Sequence, residues 1–478
     1  MTSTRSLWIA TTSHPRFAPF RPDAHAAVAI VGGGITGLTA AVLLAARGRS
    51  VCVLEGGRIA EGESGLTTAH ITAAVDARYH HLARTHSKDV AKAVAEASRA
   101  AIDQLAETVA RDSISCGFRR LPGYLYTERR SRIAELKKEA AAANEAGLAA
   151  AFVETVPLPF PVRAAVRFDD QAEFHPREYL LALAQRVAAS IFEQVRVLGI
   201  DEGTPCRIRT TAGEITADSV FVATNAPIND VTLHTRTAPY RSYAIALPYD
   251  EPLEGLFWDT ADPYHYIRTQ ETSEGTFLIA GGEDHKVGRE EGSGEAFAKL
   301  EQFTRERFPD AGPVAYRWSG QIIEPHDGLP FIGRVSNNIY VSTGYAGQGM
   351  TFGTLGAMIV ADLIEGVENR FARVFDAGRV HLRGALSSFV RENLDFPKEL
   401  ATHTLAGSRD APICTHMGCR TRWNDAEESW DCPCHGSRFA RDGSVLNGPA
   451  TQPVAVKAPV GKRKEEEIWR RERDSNPR

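Results

Sequence analysis

A glycine-rich turn near the amino terminus constrains the fold of this chain more than any other feature of its sequence. Residues 32–37 read Gly-Gly-Gly-Ile-Thr-Gly, which fits the pattern G-x-G-x-x-G through Gly32, Gly34 and Gly37. Glycines at these spacings let the chain turn tightly, let a pyrophosphate approach the backbone and let a helix pack against a strand. The turn is therefore a candidate dinucleotide-binding loop, provided that a strand precedes it and a helix follows it.

The segments around the turn supply that context. Residues 26–31 are a short apolar run, residues 37–47 have an apolar helical pattern, and residues 50–54 form a second apolar run that ends at Glu55. An acidic side chain at this position can accept hydrogen bonds from a ribose hydroxyl, and the helix N-terminus can face the phosphates. The sequence therefore predicts a dinucleotide-binding β-α-β unit, and this motif alone does not distinguish FAD from NAD.

Composition and charge exclude several classes of protein. A chain of 478 residues is long enough for two or three domains, and its 43% hydrophobic and 24% charged residues are typical of globular proteins. The chain has 55 Lys and Arg against 60 Asp and Glu, a net charge of −5, so no nucleic-acid partner is expected. Residues 26–46 are uncharged, but their glycines favour a strand, a turn and a helix over a membrane span. We therefore expect no membrane span and a cytoplasmic location.

Four of the seven cysteines lie close together near the carboxyl terminus, together with two histidines. The set is Cys414, His416, Cys419, Cys432, Cys434 and His435. Its spacing is C-x-H followed by C-x-x-H, with one further cysteine in each half, and it indicates a metal site. A structural zinc ion with four tetrahedral ligands is an alternative to an iron–sulfur cluster, although zinc ribbons favour two C-x-x-C pairs, which this stretch lacks.

Nine segments extend over most of the chain and identify a family. They are SLWIAT (6–11), AIVGGGITGLTAA (29–41), LPGYLY (121–126), DQAEFHPREYLLALA (170–184), ATNAP (223–227), DPYHYIR (262–268), GGEDHK (281–286), EPHDGLPFIGR (324–334) and STGYAGQGMTFGTLGAMI (342–359). Together they resemble the FAD-dependent oxidoreductases of the D-amino-acid oxidase type, which include glycine, sarcosine and gamma-glutamylputrescine oxidases. The resemblance runs from about residue 6 to residue 396 and favours FAD over NAD as the dinucleotide.

The resemblance implies an α/β fold, in which a Rossmann-like FAD-binding domain is interleaved with an α+β substrate domain. Residues 26–396 would form this oxidoreductase, with FAD-binding parts at about 26–80, 170–230 and 320–370 and substrate parts between them. Residues 1–25 are mostly polar and contain three prolines, so we expect a lead-in segment on the surface.

The resemblance also implies which residues form the site. A second glycine-rich segment would bring backbone N–H groups and a helix N-terminus to the pyrimidine end of the isoalloxazine, through Gly344, Gly347, Gln348, Gly349 and Met350. The candidate residues of the substrate site are His70, Tyr124, His265, Tyr266 and Arg268. Arg268 could bind a substrate carboxylate through two hydrogen bonds, although an arginine or histidine in a strand is more often a structural partner.

The cysteine–histidine stretch resembles a Rieske [2Fe-2S] module. The resemblance implies that Cys414 and Cys432 bind one iron, that His416 and His435 bind the other, and that Cys419 and Cys434 form a disulfide bond. The module, residues 397–460, would be small, all-β and incomplete, because residues 397–413 show no alternating strand pattern and residues 461–478 are a charged tail that we expect to be disordered. Two ligand loops on an incomplete sheet predict weak cluster loading.

These resemblances imply a flavin-dependent oxidoreductase. We expect it to oxidise the C–N bond of a small amine or amino acid by hydride transfer to FAD and to pass electrons to the cluster. A quinone, a redox protein or oxygen would then be the final electron acceptor. Two alternatives stay open at this point: a simple amine oxidase that uses oxygen and carries a vestigial cluster module, and a non-catalytic iron–sulfur redox sensor.

Overall fold

A computed structural model describes residues 4–228, 231–288, 293–379 and 411–456. The helices are α1 (Leu7–Ala10), α2 (Ile35–Ala46), α3 (Tyr79–Thr85), α4 (Lys88–Asp112), α5 (Ile133–Glu145), α6 (Pro176–Arg186), α7 (Val231–His234), α8 (Ser293–Arg307), α9 (Gly349–Ile364) and α10 (Ala372–Phe375). Within the described ranges, none of these helices combines the length and the apolar character that a membrane crossing needs.

The strands fall into three sheets. They are β1 (His25–Val31), β2 (Val51–Leu54), β3 (His70–Ile71), β4 (Arg119–Thr127), β5 (Ala150–Val153), β6 (Ala164–Glu173), β7 (Ile191–Phe192), β8 (Val197–Asp201), β9 (Cys206–Thr210), β10 (Gly213–Val222), β11 (Thr237–Pro248), β12 (Leu256–Asp259), β13 (His265–Thr272), β14 (Gly275–Lys286), β15 (Tyr316–Pro325), β16 (Phe331–Arg334), β17 (Ile339–Thr343), β18 (Arg422–Asn424), β19 (Ser429–Asp431), β20 (Arg438–Ala440) and β21 (Val445–Asn447).

The first sheet carries the glycine-rich turn. Its order is β16-β17-β10-β1-β2-β7, with β9 beside β10 and β8 beside β9. Strands β17, β10, β1, β2 and β7 run parallel, and such strands are covered by helices because crossover connections leave helices on the faces of the sheet. The apolar helix α2 connects β1 to β2 and packs against α9, so the predicted β-α-β unit is present at the centre of the domain.

The second sheet has nine strands and forms one side of a cavity. Its order is β15-β11-β14-β13-β12-β4-β6-β3, with β5 added beside β6. Side chains of β11, β12 and β13 face the glycine-rich turn of the first sheet across a cavity. The observed architecture is the α/β fold that the sequence predicts, with the two sheets built from interleaved stretches of the chain.

The carboxyl-terminal module is a small all-β unit. Its four strands, β18 to β21, form an antiparallel meander of three-residue strands. The module was expected to be incomplete because of residues 397–413 and 461–478, and of these, residues 397–410 and 461–478 lie outside the described residues. The described part of the module, 411–456, packs against the oxidoreductase domain, and this contact supplies packing that so small a sheet needs.

The amino-terminal segment differs from its prediction. Instead of lying entirely on the surface, α1 buries Leu7 and Trp8 completely. The indole ring of Trp8 contacts the rings of His175 and Trp318, and its Nε1 donates a hydrogen bond to the Thr67 carbonyl at 2.6 Å. The prediction was wrong here because three apolar residues within a mostly polar stretch are enough to dock it on the core.

Candidate functional site

The glycine-rich turn is closely packed at the start of α2. A Cβ atom on Gly37 would lie 1.9 Å from the Gly32 carbonyl oxygen, so only glycine fits at this helix–strand contact. Gly34 caps α2, and a Cβ atom there would lie 2.7 Å from the Ser64 hydroxyl, which accepts a hydrogen bond from the Ile35 N–H. Gly34 also lines two cavities, and Ile35 and Thr36 line one of them, so a ligand can approach the backbone at the start of α2.

Glu55 lies directly after β2, beside this turn. Its carboxylate accepts hydrogen bonds from the Gly33 N–H at 2.8 Å and from the Gly57 N–H at 2.7 Å. Burial raises its pKa, and the two backbone donors oppose that rise. These contacts hold the carboxylate at the end of the strand, where the sequence predicts a ribose ligand.

Two connected cavities extend from the turn. The outer cavity, of about 940 Å³, is lined by the glycine-rich turn, Glu55 and part of the carboxyl-terminal module. The inner cavity, of about 170 Å³, lies between the first and second sheets. Both are lined by Gly34, Ser64, Asn225 and Gln321, so they form one continuous channel. An elongated ligand such as a dinucleotide with a second ring system can extend through both.

The second glycine-rich segment reaches the inner cavity. Gly347, Gln348, Gly349 and Met350 line it at the N-terminus of α9, whereas Gly344 lies before this lining and packs near Pro325. The Gln348 side-chain amide donates to the Ala74 carbonyl, and its Oε1 is buried without a hydrogen-bond partner among the described residues. An acceptor atom and a helix N-terminus are thus available to a bound group.

Two of the five candidate substrate-site residues line the inner cavity. His70 contacts Tyr266 with ring centroids 5.6 Å apart, and its Nε2 donates to the Ile267 carbonyl at 3.3 Å. Burial, followed by the charge of Arg268, lowers the pKa of His70 to about 3, so the imidazole is neutral at physiological pH. The Tyr266 hydroxyl lies 2.6 Å from the Ser242 hydroxyl.

Tyr124 and His265 face away from this cavity, contrary to the prediction. The Tyr124 ring stacks on Phe257 in a hydrophobic cluster on the opposite face of the second sheet. His265 lies between two carboxylates, with Nδ1 3.1 Å from Asp259 and Nε2 3.1 Å from Glu283. Side chains alternate between the faces of a strand, and His265 precedes Tyr266, so the two cannot point into the same cavity.

Arg268 was predicted to bind a substrate carboxylate, but the structure places its side chain outside the inner cavity. Its side chain is completely buried and does not line the inner cavity. Its guanidinium donates to the Ala69 carbonyl at 2.8 Å and to the Phe174 carbonyl at 3.4 Å, and Nε lies 3.6 Å from the Glu173 carboxylate. Arg268 therefore joins strands behind His70, and the structure contradicts its assignment to substrate binding.

The inner cavity also contains an acidic group that the sequence did not predict. The Asp76 carboxyl opens into the cavity beside Gly347 and Tyr264, and burial raises its pKa to about 6. Asp284 lies next to Tyr264 and Ser242, and burial raises its pKa to about 7. The only sequence signal for Asp76 is its position directly after the apolar residues 73–75, which many surface aspartates share.

The four predicted cluster ligands come together in two loops of the same shape. In the first loop the Cys414 N–H donates to the Cys419 carbonyl and the Gly418 N–H donates to the Cys414 carbonyl. In the second, residues 432–437 repeat both hydrogen bonds, ending at Ser437. Each loop has a glycine with positive φ at its fifth position, 76° at Gly418 and 80° at Gly436, a conformation that other residues rarely adopt.

The side chains of these loops form a compact donor set. The His416 and His435 rings lie 5.1 Å apart between centroids. A hydrogen bond between the thiols of Cys414 and Cys432 lowers the pKa of Cys414 to about 6 and raises that of Cys432, so one thiolate forms readily. Cys419 and Cys434 form the predicted disulfide bond, whose sulfurs lie within 4.8 Å of the Cys432 sulfur.

The oxidoreductase domain covers the histidine side of this donor set. His234, in α7, contacts both rings, with centroid distances of 4.8 Å to His416 and 5.4 Å to His435. Gln321, which lines both cavities, donates from Nε2 to the Gly436 carbonyl at 2.7 Å. The site for the cluster and the channel from the glycine-rich turn are therefore connected through one side chain.

The residues fit both cofactors that the resemblance implies. The close-packed glycine turn, the Glu55 carboxylate and the unpartnered Gln348 oxygen match the needs of a dinucleotide with a ring system at its far end. Two thiols and two imidazoles in paired loops match a cluster that is bound by sulfur at one iron and by nitrogen at the other.

Comparison with known proteins supports the same two parts. The family model described as FAD dependent oxidoreductase matches residues 27–363, and the Rieske [2Fe-2S] domain model matches residues 410–458. The chain is 29% identical over 492 residues to the Rieske 2Fe-2S iron-sulfur protein YhfW of Bacillus subtilis (strain 168), covering 94% of this chain and 96% of that protein.

Other relatives cover about three quarters of the chain. Gamma-glutamylputrescine oxidoreductase of Escherichia coli (strain K12) is 26% identical over 397 residues, which are 78% of this chain and 91% of that protein. The glycine oxidase structure from Geobacillus kaustophilus has a TM-score of 0.62 at 20% identity and covers 75% of this chain and 99% of its own, which supports the fold. The predicted family, fold class, enzyme class and cofactors are thereby confirmed, and the chain belongs to the FAD dependent oxidoreductases of the D-amino-acid oxidase type, extended by a C-terminal Rieske [2Fe-2S] domain.

Proposed function

We propose that the chain oxidises the C–N bond of an amine or amino acid and that the electrons pass from FAD to the Rieske cluster of the same chain. FAD takes up two electrons from a substrate, and a [2Fe-2S] cluster takes up one at a time. The observation that carries the proposal is the charge of the inner cavity. Its described lining contains the carboxyl groups of Asp76 and Glu63 but no lysine or arginine.

This lining favours a cationic ligand. Above a pH of about 6 the Asp76 carboxyl is an anion, and a substrate ammonium can form a charge-assisted hydrogen bond with it. The same carboxylate can accept the proton that the ammonium must lose before its carbon gives up a hydride. His70 adds no opposing charge, because its pKa of about 3 keeps the imidazole neutral. A substrate carboxylate would meet no cationic side chain among the described lining residues, so an amine without a carboxylate next to the reacting carbon fits better than an α-amino acid.

The aromatic and hydroxyl groups around Asp76 would orient the substrate. Burial raises the pKa values of Tyr264 and Tyr266 well above 10, so both phenols stay protonated and can donate or accept hydrogen bonds. The Tyr266 hydroxyl is itself held by Ser242, and the Trp258 ring closes the same side of the cavity. Such groups limit the access of water and fix the direction from which the C–N bond is approached, which is the main requirement of this reaction.

Electron passage between the two cofactor sites is supported by their shared wall. Gln321 lines the FAD channel, and its side chain contacts Gly436, the residue after the proposed ligand His435. His234 of the oxidoreductase domain packs against both proposed histidine ligands. The path between the sites therefore contains protein atoms in contact and needs no large domain movement.

Anaerobic reduction of the purified protein tests the proposed function. We expect amines to bleach the flavin absorption and the cluster then to show the electron paramagnetic resonance signal of a reduced Rieske centre. NADPH should not bleach the flavin. Reduction of flavin by amines without any cluster signal, followed by fast reoxidation in oxygen, would favour the simple oxidase. A protein that no amine in a broad panel reduces would favour a redox sensor and contradict the proposal.

The Asp76→Asn variant tests the recognition of the amine. In the wild type, the dissociation constant of an amine substrate should fall as the pH rises through about 6, because the Asp76 carboxyl ionises there. The variant should bind the amine about tenfold more weakly at pH 7.5, the loss of roughly one charge-assisted hydrogen bond, and should lose this pH dependence. Both quantities can be measured from the flavin spectrum during anaerobic titration with a slowly reacting amine.

A matched control is Asp103→Asn, which neutralises an exposed carboxylate on α4 that pairs with Arg120. This variant should keep the wild-type affinity and pH dependence. If Asp76→Asn also kept both, Asp76 would not be the partner of the substrate ammonium.

A further inference from the structure

The outer cavity has walls from two different parts of the chain. One wall is formed by the glycine-rich turn and by residues 54–58, which belong to the oxidoreductase domain. The opposite wall is formed by the Rieske module, through Glu427, Arg438 and residues 446–448 and 450–451. A ligand bound at the glycine-rich turn therefore faces the Rieske module directly.

Specific hydrogen bonds hold this second wall in place. Arg196 donates from Nη2 to the Val445 carbonyl at 3.0 Å, and Thr451 donates from Oγ1 to the Leu198 carbonyl at 3.3 Å. The Asn447 side-chain amide donates to the carboxylate of Glu63, which lies next to Ser64 at the glycine-rich turn. The strand β21 and the loop after it are thus anchored on the elements that surround the nucleotide loop.

A buried arginine connects the two walls. Arg241 in β11 is only 2% exposed, and its Nε and Nη2 atoms donate to the two carboxylate oxygens of Glu427 at 2.7 and 2.6 Å. Its Nη2 also donates to the Ser319 hydroxyl at 2.6 Å. Its Nη1 is buried without a hydrogen-bond partner among the described residues, and the side chain lines the outer cavity. A buried N–H donor without a partner is costly, so a ligand oxygen in the cavity would be a favourable acceptor.

The geometry points to the Rieske module as part of the FAD site. Its residues 446–448 and 450–451 form part of the wall of the outer cavity, and its Glu427 carboxylate orients Arg241 so that Nη1 can donate to an oxygen of FAD. The docked module therefore slows the release of FAD. Loss of module docking therefore weakens FAD binding, and bound FAD in turn stabilises the docked module, because coupling between two binding events is reciprocal.

The double variant Arg241→Met/Glu427→Met tests this inference. Removing both charges avoids an uncompensated buried ion, which a single substitution would leave behind. Arg438 keeps its second partner, Asp431, with Nε 3.0 Å from the carboxylate, so the module retains an internal ion pair. We expect FAD to dissociate from this holoenzyme about tenfold faster than from the wild type, since one hydrogen bond from a charged donor is lost. The rise of flavin fluorescence after dilution measures the rate.

A second variant tests the Rieske wall of the outer cavity without changing Arg241. Asn447→Ala/Thr451→Ala removes two anchors of the module loop without changing a charge, and it should also accelerate FAD dissociation, by a factor of roughly three to ten. If Arg241→Met/Glu427→Met fails to fold, the FAD dissociation rate of Asn447→Ala/Thr451→Ala alone tests whether the module helps to hold FAD. The matched control is Arg441→Ala, which removes an exposed arginine of the same module that pairs with Glu428 and should leave the rate unchanged.

The inference would be overturned if Arg241→Met/Glu427→Met and Asn447→Ala/Thr451→Ala both folded and both released FAD at the wild-type rate. Such rates would show that the module lies beside FAD without helping to hold it. The amine-oxidation proposal would survive that result, because these measurements contain no substrate. Conversely, a protein that releases FAD faster in both variants but is reduced by no amine would support the inference and contradict the proposed function.

Discussion

The Gly34→Val variant is expected to purify with little or no bound FAD. Gly34 caps α2 where the two cavities meet, and even a single Cβ atom there would lie 2.7 Å from the Ser64 hydroxyl. The valine methyl groups would occupy the space next to the first backbone N–H groups of α2, which a pyrophosphate must approach. Crowding of this kind costs about 1–3 kcal/mol, which is roughly a 5- to 150-fold loss of affinity.

The measurement is the ratio of flavin to protein absorption after gel filtration, with circular dichroism to verify the fold. Ala45→Val is a suitable control, because it adds the same side chain in the last turn of the same helix, away from both cavities. A yellow Gly34→Val protein with a full complement of FAD would show that the loop is not the pyrophosphate site. A wild-type protein that carried NAD and no flavin would contradict the assignment of FAD itself.

The wild-type protein is expected to carry close to one [2Fe-2S] cluster per chain, and the His416→Ala and Cys432→Ser variants are expected to carry none. Each substitution removes one of the four donors at the two loops, and a cluster with an open ligand position is lost or degraded. Iron and acid-labile sulfide per chain, together with the visible spectrum after anaerobic reconstitution, measure the content. Cys206→Ser is the control, because Cys206 is a buried thiol in β9 and belongs to neither loop.

This expectation replaces the weak loading that the sequence alone predicts. The prediction of weak loading assumes that the module holds its two ligand loops without contacts to the oxidoreductase domain. In the structure the second loop rests on the oxidoreductase domain, where Gln321 binds Gly436 and the Arg241–Glu427 ion pair is buried. The Cys419–Cys434 bond joins the two loops directly. Reconstituted wild-type protein without iron would show that these contacts are insufficient and that the original prediction holds.

The largest features of this chain follow from local sequence patterns. The glycine-rich turn, its flanking apolar runs and Glu55 lie within about 30 residues, so their relative positions are set by one β-α-β unit. The same holds for the two loops of Cys414 and Cys432, where each ligand pair is separated by one or two residues. The function of such motifs can be predicted from the sequence, because residues that are close along the chain are also close in space.

Residues on the second sheet could not be assigned in this way. Tyr124, His265, Tyr266 and Arg268 all lie on strands in segments that resemble the family, yet only Tyr266 lines the inner cavity. Alternation along a strand shows which residues share a face, but not which face is turned to a ligand or where along the strand the cavity ends. That depends on how the second sheet packs on the first.

Some groups at the two cavities could be located only from the tertiary structure. Asp76 and Tyr264 are distant in sequence and meet at Gly347, and Arg241 obtains its partner Glu427 from a different domain. Charged residues at such positions look like ordinary surface residues in the sequence, because burial and partners are created only when the sheets and the module assemble. The sequence by itself thus determined the nucleotide loop and the predicted cluster ligands, whereas the packing of the sheets decided the inner cavity and the wall that the Rieske module adds to the outer cavity.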